Sequence, residues 1–119
     1  MEVLNEWRPG LEERLYERAL TIELRRRGHA VSVQSSFPVF CRAELIGDLI
    51  PDLIVDASVI VDPKVVSAFT ERHVAQMLGY LNITGLSLAL LLNFKNARFD
   101  WKRVVGPQVE SKNRADFLA

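Results

Sequence analysis

The stretch "LIPDLIVDASVIVDPKVV", residues 49–66, decides how this chain reads. Two β-branched runs, "LIPDLIVD" and "VIVDPKVV", flank a polar break at Asp56, Ala57 and Ser58, the pattern of a β-hairpin. Opposed residues in an antiparallel hairpin have position numbers that sum to a constant, and they share a face of the sheet. A three-residue loop at Asp56, Ala57 and Ser58 sets Val55 against Val59 and brings Asp52 opposite Asp62, with Lys64 two residues on along the same face. A two-residue loop instead sets Asp52 opposite Pro63 and sends the acids to different faces. With the longer loop, one face carries Asp52, Ile54, Ile60, Asp62 and Lys64, and the other carries Leu53, Val55, Val59, Val61, Pro63 and Val65.

Ionised groups inside an apolar segment are costly unless they are paired or bind a metal. The acids and the lysine cluster at the end of the hairpin away from its turn, as a divalent-cation site requires. Magnesium takes one or two carboxylates together with waters and phosphate oxygens. The other reading of the same spacing is an Asp–Lys ion pair on a solvated strand face.

Upstream, Leu11, Leu15, Ala19 and Ile22 recur at helical spacing, and Gly28 follows three arginines that suit a helix C-terminus. The spacing predicts a helix over 11–27. "AVSVQSS" and "PVFCRAEL" read as two strands near a sheet edge, where Pro38 is tolerated. Downstream, Thr70 caps a helix from Glu71 to about Asn82 that ends near Gly85. "LSLALLLNF", residues 86–94, reads as a strand buried on both faces, and "ARFDWKRVV", residues 97–105, as a last, more exposed strand. The helix between "VIVDPKVV" and "LSLALLL" permits a parallel crossover, so the fold class is α/β, a mixed β-sheet flanked by helices. Residues 1–105 form one domain and 106–119 a polar C-terminal tail.

The 119 residues suffice for one core, and the fifteen acids balance the fifteen bases, which excludes a globally basic nucleic-acid binder. The single cysteine, Cys41, forms no intramolecular disulfide and no zinc set, which fits a reducing, cytoplasmic setting. The longest apolar run is half a membrane span, so no membrane association is expected.

Three motifs in order carry a resemblance. "GLEERLY" matches G-x-x-E-x-x-Y through Gly10, Glu13 and Tyr16. "PDLIVDASVIVDPK" is an acid, ten residues, then D-x-K. "HVAQMLGYL" places His73, Gln76 and Tyr80 along one stripe. This resembles the GxxExxY family, a branch of the PD-(D/E)XK nuclease superfamily, over about Pro9 to Val105. The resemblance implies a restriction-endonuclease-like core and metal-dependent phosphodiester hydrolysis on DNA or RNA. It implies that Asp52, Asp62 and Glu13 ligate Mg2+ or Mn2+, and that Lys64 orients the attacking water and stabilises developing charge. Gln76, Tyr80, Tyr16 and His73 would shape the site or touch substrate.

The chain also departs from the family. Asp62 stands where Glu is usual. Pro63 replaces an aliphatic residue and predicts a local distortion of its strand, and Ala57 sits in a turn where glycine or asparagine is favoured. Family members commonly begin with a further helix, whereas nine residues precede Gly10. These departures support an alternative, a catalytically degenerate nuclease-fold domain that binds nucleic acid or assembles with protein. They also raise a homodimer in which a second copy completes the fold.

Overall fold

The computed structural model describes residues 12–95 and 100–106. Helix α1 (Glu13–Arg26) is followed by β1 (Val31–Val33), β2 (Phe37–Cys41), β3 (Glu44–Leu49), β4 (Leu53–Val55) and β5 (Val59–Lys64). Helix α2 (Glu71–Thr84), β6 (Leu88–Asn93) and β7 (Asp100–Val105) complete the order. Five strands form one mixed sheet in the order β1-β4-β5-β6-β7, parallel only between β5 and β6, and β2 and β3 form a separate hairpin. The parallel pair is the one joined through α2, as a crossover demands.

The helices cover opposite faces of the sheet. Tyr16, Ala19 and Leu20 of α1 pack with Leu53, Val55, Val61, Leu92 and Phe94, while Met77 and Leu81 of α2 pack with Ile54, Ile60, Ala89, Leu91 and Val104. Strand β6 feeds alternate leucines to each core, which explains its uninterrupted apolar run. The face of α1 differs from the expected stripe. Leu15 and Ile22 are exposed, because the helix turns Tyr16 inward to stack on Phe94 with ring centroids 4.6 Å apart.

Both helix ends follow their signals. The Gly28 N–H donates to Arg25 O and the His29 N–H to Leu24 O, the paired bonds of a Schellman ending, with Gly28 at φ +92°. The Thr70 hydroxyl accepts from the His73 N–H, and Gly85 closes α2 at φ +80°. No helix among the described residues is long and apolar enough to cross a membrane.

The decisive hairpin has the three-residue loop: Val55 pairs with Val59, Ile54 with Ile60 and Leu53 with Val61. Asp56 and Ala57 both take φ +53°. That turn is held from outside, since the Ala30 N–H donates to Asp56 Oδ1 at 2.9 Å and His29 Nδ1 lies 2.7 Å from Asp56 Oδ2. The His29 contact, then the Ala30 N–H, hold the Asp56 carboxyl below its usual range.

Two expectations are corrected. "PVFCRAEL" is not one strand: it bends at Arg42 and Ala43, both at positive φ (48° and 67°), into the β2–β3 hairpin. Pro63 produces no distortion, and the β5–β6 register runs unbroken through Asp62, Pro63 and Lys64. The Lys64 carbonyl faces β6, where it accepts from the Phe94 N–H at 2.9 Å. By strand alternation the Pro63 nitrogen faces the other side, beyond the last β4 pair at Val61, where no N–H is needed. Leu11, Gly10, the upstream region, residues 97–99 of the last strand and 107–119 of the tail lie outside the described residues.

Candidate metal centre

Strand β5 presents Asp62 and Lys64 on its α2 face, at the end away from the turn. Asp52 sits in a bend just ahead of β4, one residue past the last ladder pair, where its carbonyl accepts from the Gln34 N–H at 2.9 Å. Glu13, in the first turn of α1, reaches the same point, and its carboxylate meets the backbone at Val65 just beyond β5. One oxygen from each of Glu13, Asp52 and Asp62 lies within 4.8 Å of the others.

Asp62 is only 2 % exposed. Its Oδ2 lies 3.2 Å from Lys64 Nζ, while its Oδ1 is buried without a hydrogen-bond partner. The solvated-face reading of this pair therefore does not describe the structure. Lys64 Nζ also donates to Gln76 Oε1 at 3.2 Å, and Gln76 Nε2 donates to the Tyr80 hydroxyl at 3.1 Å. Position 76 lies four residues before Tyr80, so one stripe of α2 supplies both.

The cluster carries more negative charge than it can balance. Burial, then contact with Asp62 and its charge, push Asp52 up to about 8. Glu13 is raised by burial, with Lys64 opposing and Asp62 adding, and Glu17 is raised by burial against a hydrogen bond from Gln34. Tyr80 is raised by burial and by the charges of Asp62 and Asp52. Three carboxylates therefore gather beside Lys64, with Glu17 within the field of Asp62 and Glu13, and the charge of His73 also acts on Glu13. An all-oxygen donor set with an orphaned, buried carboxylate oxygen fits a hard divalent cation.

An acid ahead of one hairpin strand and an Asp-x-Lys on the next thus meet beneath the first turn of a helix. The family model of the PD-(D/E)XK nuclease superfamily matches residues 1–104. The chain belongs to that superfamily. Among solved structures, the crystal structure of SSO0001 has 13% identity and a TM-score of 0.65, over 88% of this chain and 56% of that one. An alkaline exonuclease (LHK-Exo) from Laribacter hongkongensis has 11% identity and a TM-score of 0.61, over 88% of this chain and 61% of that one. These likenesses show the fold, and the chain spans a little over half the length of both proteins. No curated protein matches it. PD-(D/E)XK nucleases generally use divalent metals, and an acidic cluster is present in this chain.

Within this PD-(D/E)XK domain, the structure gathers Glu13, Asp52, Asp62, Lys64, Gln76 and Tyr80 into one contiguous group. Of the other two expected substrate contacts, Tyr16 is sealed in the core, while His73 lies close enough for its charge to act on Glu13. Tyr16 has 0 % exposure and packs against Phe94, so its ring offers no surface to a substrate. His73 closes the capping box of α2: its Nδ1 accepts from the Thr70 N–H at 3.0 Å, which leaves any proton on Nε2.

Two residues at the site carry no clear mark in the sequence. Glu17 lies four residues after Glu13, one turn further along α1, and is 8 % exposed. Asn93, the polar residue ending "LALLLN", clamps the chain after β5: its Nδ2 donates to Val66 O at 2.7 Å and its Oδ1 accepts from the Val66 N–H at 3.2 Å. The signals that could have found them are helical spacing from Glu13 and an amide inside an apolar strand.

Proposed function

We propose that this chain hydrolyses phosphodiester bonds in DNA or RNA at the Asp52–Asp62–Lys64 cluster, with Mg2+ or Mn2+ as cofactor. The observation that carries this reading is the buried, unpartnered Oδ1 of Asp62, set within a three-carboxylate cluster and beside a lysine that Gln76 holds in place. Asp52, Asp62 and Glu13 would hold the cation. When bound, it supplies Lewis-acid polarisation of the phosphodiester and activation of water. Lys64 donates to the charge that develops on the phosphoryl oxygens, a role that needs a preorganised donor. Gln76 orients Lys64, and Tyr80 orients the Gln76 amide. The ordered motifs from Glu13 to Tyr80 support assignment to the GxxExxY branch.

The test is cleavage of labelled single- and double-stranded DNA and RNA with Mg2+ or Mn2+, comparing the wild type with Lys64→Ala and Asp52→Ala. Metal-dependent cleavage abolished by both substitutions supports the reading. Cleavage that survives both, or none from a folded wild type, sinks it.

A second reading, an assembly domain that keeps the nuclease fold, draws on the β2–β3 hairpin. Phe40, Leu45 and Ile46 there are each about 60 % exposed or more, a surface suited to another protein or a second copy. Solution mass would reveal self-association.

A further inference from the structure

Three arginines at the site end of the two helices stand without a partner. Arg14, Arg18 and Arg72 are exposed, and among the described residues none of them makes a hydrogen bond or ion pair. At the far end of α1, Arg25 donates to Val31 O at 2.8 Å and Arg27 pairs with Glu23 at 3.1 Å. Arg26, like Arg42 and Arg103, is exposed without a partner among the described residues, so it is position beside the acid cluster that sets Arg14, Arg18 and Arg72 apart.

Folding gives no reason for the three positions. Arg14 and Arg72 lie in the first turns of α1 and α2, where the helix dipole disfavours a cation. Arg14 and Arg18 are like charges four residues apart on one stripe, which is unfavourable as well. Their relation to the acid cluster is direct. Arg14 and Arg18 follow Glu13 and Glu17 along α1, both of which sense the charge of Asp62. Arg72 lies one turn before Gln76 on the stripe that touches Lys64. Because α1 and α2 cover opposite faces of the sheet, these arginines flank the end of β5 from both sides.

A nucleic-acid strand that places one phosphodiester at this cluster carries further phosphates to either side of it. Flanking cations add attraction that grows with the number of phosphates engaged. We propose that Arg14, Arg18 and Arg72 bind the backbone phosphates of a nucleic-acid strand on either side of the phosphodiester at the acid cluster. The proposal rests on the nuclease reading above and makes the substrate a polymer, engaged over several nucleotides, rather than a small phosphodiester.

The experiment follows cleavage of a labelled single-stranded oligonucleotide over a range of KCl concentrations, beside hydrolysis of bis(4-nitrophenyl) phosphate. It compares the wild type with the triple variant Arg14→Gln, Arg18→Gln, Arg72→Gln, using circular dichroism to confirm folding. The triple variant is expected to raise KM for the oligonucleotide tenfold or more and to leave kcat and hydrolysis of the small diester unchanged. The slope of log(kcat/KM) against log[salt] should flatten by about 2, at about 0.7 for each single-strand phosphate that an arginine no longer neutralises. Unchanged KM and slope in an enzyme that still cleaves would overturn the proposal alone. So would an equal fall on both substrates. A wild type that cleaves neither substrate would overturn the nuclease reading together with it.

Discussion

Lys64 Nζ stands 3.2 Å from Asp62 Oδ2, two residues back along one face of β5, and both side chains are largely shielded from water. Removing one partner of such a pair leaves the other as an uncompensated buried charge, which costs about 3–5 kcal/mol. Lys64→Met is therefore expected to destabilise the fold by about that amount in urea denaturation without divalent cation. Added Mg2+ should restore much of that stability, because the carboxylates then regain a counter-charge. Cleavage by Lys64→Met should fall by about 10²–10³-fold, the scale of removing one preorganised donor.

The acid cluster makes stability depend on pH. Asp52 is raised from 3.8 to about 8 in the folded chain, and Glu13 and Glu17 are raised as well. Between those pH limits the folded state binds more protons than the unfolded state, so stability falls as pH rises. The contribution is fully present below the unfolded value near 3.8 and is lost as pH approaches 8. Melting temperatures in EDTA should decline across that window. The decline should be shallower in Asp52→Asn and in wild type with Mn2+, and equal slopes in all three would refute the assignment.

Pro63 lies where its strand needs no N–H toward β4, so replacing it should change little. Pro63→Val is expected to alter stability by less than about 1.5 kcal/mol and to leave cleavage intact. A gain above about 2 kcal/mol would show that the proline does disturb β5.

Asn93 substitutes for a missing strand neighbour by bonding both backbone groups of Val66, and its Oδ1 accepts from the Lys95 N–H at 3.1 Å. Asn93→Leu leaves those groups unpaired in a partly buried place. The expected cost is about 2–4 kcal/mol in chemical denaturation. It should also raise the cation concentration needed for activity, since the chain after Lys64 loses its anchor.

What could be read from residues alone follows from physical range. The hairpin was legible because side-chain alternation and a loop length fix which residues oppose, and both are local. The ends of α2 were legible for the same reason, through Thr70 and Gly85. The face of α1 was not, because a stripe through Leu15 and Ile22 competes with one through Tyr16 and Leu20, and only contact with Phe94 chooses between them. The β2–β3 turn was hidden because Arg42 and Ala43 adopt positive φ without the glycine that usually marks it. Pro63 misled because the end of β4 is a property of the pairing, not of position 63. Glu17 escaped because a carboxylate on a helix is commonly solvated, and its burial is set by tertiary packing that the helix's own residues do not show.

The most direct test is a calorimetric titration of Mn2+ into the wild-type chain, into Asp62→Asn and into Asp52→Asn. Saturable binding in the wild type that is abolished or weakened at least tenfold in both variants is expected if these carboxylates form the cation site. Unchanged heats in either variant, or no binding by a folded wild type, would contradict it.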